Sequence, residues 1–124
     1  MNISCTNIEQ SRKLIEAGID VSTADFYITP KVGGYVISTE KAANSVPSWS
    51  VVALYETIPT IITYDGSSYE FGSICKNGSN SCKYENSRGE RIMYFGCWED
   101  LVAMLFKAVL WFLMAKDDLT YERD

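Results

Sequence analysis

Apolar positions recur at helical spacing at the start of the chain. Ile8, Ser11, Leu14 and Ile15 fall on one face, Thr6 and Glu9 have the spacing of a capping box, and Gly18 before Ile19 suits a left-handed stop. This pattern predicts a helix over residues 7–17. Asp20 to Asp25 carries Ser and Thr side chains that compete for backbone hydrogen bonds, so it reads as a turn. Strands at Phe26–Thr29 and Tyr35–Ser38 flank a loop marked by Pro30 and Gly33-Gly34. Val46-Pro47 is an extended lead into a second helix, with Ser45 or Ser48 as its cap. Val51, Val52, Tyr55 and Ile58 recur at helical spacing, and Pro59 closes that helix after about ten residues.

Beyond Pro59 the period becomes alternating. Ile61–Tyr64 and Ser68–Phe71 bracket Asp65-Gly66, a pair that tolerates positive φ and forms tight hairpin turns. Ile74-Cys75 and Cys82–Tyr84 flank a longer loop around Asn77-Gly78, and Arg91–Phe95 follows a turn over 86–89. A meander of three to four antiparallel strands is expected. The last element, Trp98 to about Lys116, is the most apolar. At about 100° per residue it sets Trp98, Leu101, Leu105, Ala108, Val109 and Phe112 on one stripe, with Asp100, Ala103, Lys107 and Met114 opposite. Its apolar run, Leu101–Ala115, contains Lys107 and falls short of the roughly 20 residues of a spanning helix, so no membrane span is expected. Asp117–Asp124 reads as a frayed end. The fold class is α+β, one domain over residues 1–124. It is an antiparallel meander with an N-terminal helix, a short middle helix and a long apolar C-terminal helix packed on the sheet.

Composition narrows the chemistry. A 124-residue chain with 47% apolar residues can bury an independent core without metal or disulfide staples. Sixteen acidic residues against eleven basic ones give a net charge of −5, which repels a phosphate backbone and disfavours nucleic acid as a partner. Histidine is absent, which removes the commonest general base, nucleophile activator and zinc ligand together. Cys5, Cys75, Cys82 and Cys97 lack a close C-x2-C pair, so free thiols and no metal are expected. Cys75 and Cys82 flank a turn and would bridge a hairpin only in an exported chain. Met1 to Asn7 has neither the basic start nor the apolar run of a secretory signal, and the expected compartment is the cytoplasm.

The remaining candidates have structural readings beside the functional ones. Asp20 with Asp25 and Glu99 with Asp100 are paired carboxylates, but the first pair flanks a turn and the second opens a helix, where acids cap amides. Ser48 and Ser50 flank Trp49 with no histidine to take a proton, and no phosphate-binding glycine motif is present. Tyr64, Tyr69, Tyr84 and Tyr94 suit either strand packing or a recognition face. Lys76, Lys83, Arg88 and Arg91 interleave with them as a single-strand binder requires, diluted by Glu85 and Glu90.

Over Ile15 to Asp25, over Val46 to Leu54 and in the late apolar helix, the chain resembles a family of small phage-derived or mobile-element proteins of gut bacteria with no assigned activity. The resemblance implies a small cytoplasmic accessory protein and supplies no catalytic residue. The expected function is a non-enzymatic interaction or regulatory protein, without cofactor or metal, acting through a protein partner or a second copy of itself. One alternative is a small ligand-binding domain or enzyme built on the acidic turn Asp20 to Asp25. A further one is a nucleic-acid binder or mimic. The candidate interface is the surplus apolar surface of the last helix, namely Phe106, Leu110, Trp111 and Met114.

Overall fold

Helix α1 spans Ile8–Glu16. In the computed structural model, which describes residues 4–98 and 100–122 and only the backbone of Cys97 and Trp98, its cap is Asn7. The Gln10 N–H donates to Asn7 Oδ1 at 2.8 Å, and the Asn7 N–H donates to Gln10 Oε1 at 3.0 Å. The capping box therefore lies one residue later than the Thr6 and Glu9 spacing indicates. Thr6 is drawn into the interior by tertiary partners, and Glu9 pairs with Lys13 instead at 3.4 Å. The stop at Gly18 is as expected: the Ile19 N–H donates back to the Leu14 carbonyl at 3.1 Å.

Residues 21–23 form one 3-10 turn, and a small sheet follows. It contains β1 (Phe26–Lys31), β2 (Gly34–Ser38) and β3 (Val46–Ser48) in the order β2-β1-β3, all antiparallel. Val46-Pro47 is thus a strand rather than the approach to a helix. Helix α2 (Val51–Thr57) is shorter than expected and is capped by Ser50, whose Oγ accepts the Ala53 N–H at 3.3 Å. Ser45 instead closes its own turn by donating to the Ala42 carbonyl at 2.8 Å, and Ser48 is buried in β3. Pro59 ends α2 as read, forcing Ile58 to φ −92° and ψ 121°.

The larger sheet holds β4 (Ile61–Tyr64), β5 (Ser67–Lys76), β6 (Ser79–Glu85), β7 (Arg91–Trp98) and β8 (Thr120–Tyr121) in the order β7-β6-β5-β4-β8. Asp65-Gly66 turns with φ of 49° and 80°, and Asn77-Gly78 repeats the geometry at 53° and 77°. The second loop is therefore two residues long, not the longer one expected. Ser68–Phe71 and Ile74-Cys75 are parts of one strand, continuous because Gly72 and Ser73 pair with Lys83 and Cys82. Trp98 ends β7, so helix α3 (Leu101–Ala115) starts after it and is capped by Asp100, whose Oδ1 accepts the Val102 N–H at 2.9 Å. Glu99 lies outside the described residues. The stretch after α3 is held rather than frayed: Thr120 and Tyr121 pair with Thr63 and Ile62, and the Tyr121 ring meets Phe112 edge-on at 4.9 Å. Arg123 and Asp124 lie outside the description.

Helix α3 runs through the middle of the core, against β6 and β7 on one side and α1 and α2 on the other. This explains why Val102, Met104, Phe106 and Leu113 are buried along with the expected Leu105, Ala108, Val109 and Phe112. Two layers cover more of a helix than one sheet can. Tyr84 is fully buried between Phe71 and Trp111 and donates its hydroxyl to the Pro59 carbonyl at 2.5 Å. Burial pushes the Cys82 thiol up to about 11 and raises the Tyr84 phenol as well. No helix among the described residues is long and apolar enough to cross a membrane.

Candidate functional site

The acidic turn is tied into the scaffold. Asp20 Oδ1 accepts the Ser22 N–H at 3.0 Å and the Ser22 hydroxyl at 2.7 Å, capping the short turn that follows it. Asp25 reaches the start of α2, where its Oδ1 accepts the Ser50 N–H at 2.9 Å and its Oδ2 accepts the Ser50 hydroxyl. Thr23 accepts the Trp49 indole N–H at 2.9 Å. Both carboxylates and their neighbours thus act as caps and splints between the turn, Trp49 and α2.

Next to them lies a cluster of hydroxyls from Thr6, Ser11 and Ser48, all fully buried. Thr6 Oγ1 stands 2.8 Å from Ser11 Oγ and 3.2 Å from Ser48 Oγ, and it accepts the Trp49 N–H at 3.0 Å. The Ser48 hydroxyl donates to the Thr6 carbonyl at 2.6 Å. Ser48 is therefore spent on the backbone, with no base beside it, and Ser50 is a helix cap. The cluster fastens the chain start and α1 to β3.

The other candidates separate. Cys75 is exposed opposite Asn80, whereas Cys82 is buried opposite Ser73, so the two do not face each other across the hairpin. Cys5, Cys75 and Cys82 are free thiols, and the Cys97 side chain is outside the description. Among the described residues no three metal-ligating side chains converge. Lys83 and Arg91 both grip Glu85, at 3.0 and 3.1 Å, and hold its carboxyl below the usual carboxylate range. Arg88 pairs with Glu90 at 3.5 Å, and the Arg91 guanidinium lies 4.7 Å from the Tyr94 ring centre. The four strand tyrosines do not form one face, because Tyr84 and Tyr69 point into the core while Tyr94 points out from the other side. A cleft of about 660 Å³ opens between the end of α2, β4 and β8, with Thr23, Glu56, Thr60 and Tyr121 among its walls.

On α3, Phe106 lies in the core, Leu110 and Trp111 pack half-buried against it, and Met114 is 75% exposed. More exposed apolar side chains than on α3 lie on the β1–β2 hairpin. Val32 at its tip is fully exposed, Tyr35 is 61% and Val36 44% exposed, and only Ile28 is buried.

The hairpin also ends in an unprotected sheet edge. Pro30 has no N–H to give, so its pair with Tyr35 is a non-hydrogen-bonded position of the ladder. By alternation the neighbouring pairs, Lys31 with Gly34 and Thr29 with Val36, are bonded, and the backbone groups of Tyr35 and Ile37 point outward. Pro47 fits the same alternation on the other side of β1, opposite Tyr27. The remaining edges carry protection: β3 is three residues long with a proline, β8 is two, and β7 opens with Arg91 and is bulged against β6. In contrast, β2 is five residues, Gly-Tyr-Val-Ile-Ser, with no charge and no proline. Nothing in the strand pattern could reveal this in advance, since the same alternation describes a covered strand. No family model, curated protein or solved structure matches the chain.

Proposed function

We propose that the chain is a non-enzymatic interaction or regulatory protein, of the kind carried as a phage or mobile-element accessory, and that it engages a protein partner through the β1–β2 hairpin. The observation that carries this reading is the uncharged, exposed edge of β2 in a protein whose other sheet edges are short, charged, bulged or proline-bearing. An extended segment adding to such an edge gains main-chain hydrogen bonds at Tyr35 and Ile37, and the alternate side chains provide selectivity. The engagement of Asp20, Asp25, Ser48 and Ser50 in structural bonds supports the absence of an acid–base or nucleophilic role.

The test is affinity capture from native lysate with tagged wild type and with tagged Val36→Lys. The expected outcome is one stoichiometric protein held by the wild type and lost from the variant, with both melting at the same temperature. Retention of that protein by a folded Val36→Lys variant contradicts the reading.

A further inference from the structure

We infer that the occupant of the β2 edge is a second copy of this chain, joined antiparallel about a two-fold axis at Val36 into one six-stranded sheet. This rests on the reading of the hairpin as a protein-binding element and names its partner.

The strand is self-complementary. The outward backbone groups of β2 belong to Tyr35 and Ile37, which are two residues apart. An isologous antiparallel pair centred on Val36 sets Tyr35 of each copy against Ile37 of the other. All four outward groups of each copy then find partners in a bonded pair. Val36 meets Val36 of the second copy across the axis in a non-bonded pair, where side chains approach closest.

The side chains agree with that register. Ile28 pairs with Ile37 and Pro30 with Tyr35 within the hairpin, so one face would carry an unbroken row of Ile28, Ile37, then Tyr35 and Pro30 of the second copy. An aromatic ring opposite a β-branched chain is among the favourable cross-strand pairs. The other face would carry Thr29, Val36 and their symmetry mates. No charge lies between Gly34 and Ser38, so the two-fold axis opposes no like charges even though the chain as a whole carries −5. A shift of one residue would leave the outward groups of Tyr35 and Ile37 facing residues whose own groups are spent on β1, and a shift of two would leave one of these two residues without a β2 partner, so the axis at Val36 satisfies the most backbone groups. Five paired residues cover less than the roughly 800 Å² per partner of a stable interface, and the dimer is accordingly expected to exchange at micromolar or higher concentration.

The experiment is disulfide trapping in the full chain, with Cys5, Cys75 and Cys97 changed to Ser and the buried Cys82 kept. Val36→Cys places two thiols in a non-bonded antiparallel pair with Cα atoms about 4.5 Å apart, inside the span a disulfide bridges. Mild oxidation is expected to give a linked species of twice 13.9 kDa, reversed by reductant. Tyr35→Cys is expected to link far less, because its symmetry mate lies on a diagonal of about 7 Å or more. Melting of each variant establishes that it is folded. Equal linking by the two variants, or none by a folded Val36→Cys at millimolar concentration, overturns self-pairing. If the wild type stays monomeric yet its captured protein is lost with Val36→Lys, self-pairing fails and the hairpin reading stands. If neither self-association nor a hairpin-dependent capture is seen, both fail.

Discussion

Thr6→Val removes one hydroxyl from the buried cluster and keeps the volume of the side chain. Two groups lose their partner: the Trp49 N–H, which donates to Thr6 Oγ1 at 3.0 Å, and the Ser11 hydroxyl at 2.8 Å. Ser48 keeps its bond to the Thr6 carbonyl at 2.6 Å. A buried polar group left unsatisfied costs about 1–3 kcal/mol, so the pair should cost about 2–4 kcal/mol once local relaxation is allowed for. In a domain of this size each kcal/mol moves the melting temperature by roughly 3–6 °C, giving a fall on the order of 10 °C. The assay is urea unfolding followed by tryptophan fluorescence and circular dichroism, since Trp49 is fully buried at the cluster. A second variant sharpens it. Adding Ser11→Ala to Thr6→Val removes one of the two orphans and should recover about 1 kcal/mol. A Thr6→Val loss below about 0.5 kcal/mol, or a further loss on adding Ser11→Ala, would refute the view that this cluster fastens the chain start and α1 to β3.

Three further outcomes are expected. Asp25→Ala should lower stability by about 1 kcal/mol, by removing the acceptor of the Ser50 N–H and hydroxyl, and should leave partner capture unchanged; loss of capture at unchanged melting would favour a ligand site on the acidic turn. Leu110→Glu should destabilise the protein by about 1–3 kcal/mol in denaturant, because Leu110 packs against the core around α3, and a stable monomer instead would return α3 to the list of interfaces. On the alkaline side, burial raises the folded thiol of Cys82 from 9.0 to about 11, so its contribution is intact below pH 9 and is lost as pH rises towards 11, while Tyr84, raised from 10.0, begins to add its own loss only above pH 10. Thermal melts at pH 8, 9, 10 and 11 should fall through that window, and Cys82→Ala should flatten part of the fall.

Much of the fold is local enough to be read from the chain. Asp65-Gly66 dictates its own turn through positive φ, Pro59 stops α2 whatever surrounds it, and the apolar period of Leu101–Ala115 is long enough to be unambiguous. The misreadings fall where a distant partner decides. Thr6 has the better capping spacing, but Trp49, 43 residues away, claims its hydroxyl and Ser48, 42 residues away, its carbonyl, which leaves the cap to Asn7. The strands β3 and β8 are too short to carry a period, and they exist because β1 and β4 offer edges to pair with. Gly72 and Ser73 interrupt the apolar pattern without interrupting the ladder, since Lys83 and Cys82 hold them from β6. For the site, the sequence distinguishes the faces of a strand but not its edges. The outward groups of Tyr35 and Ile37 emerge only once Pro30 is placed opposite Tyr35.

Which backbone amides of β2 are free decides whether this edge can take a partner strand. Hydrogen exchange resolved by residue, measured on the wild-type chain from micromolar to millimolar concentration, tests this most directly. The Val36 amide should be protected throughout, because it is spent on β1, whereas Tyr35 and Ile37 should exchange rapidly when dilute and become protected as concentration rises. Tyr35 and Ile37 protected even at the lowest concentration, or rapid at every concentration and in the presence of captured partner, would contradict the assignment of this edge as the interaction site.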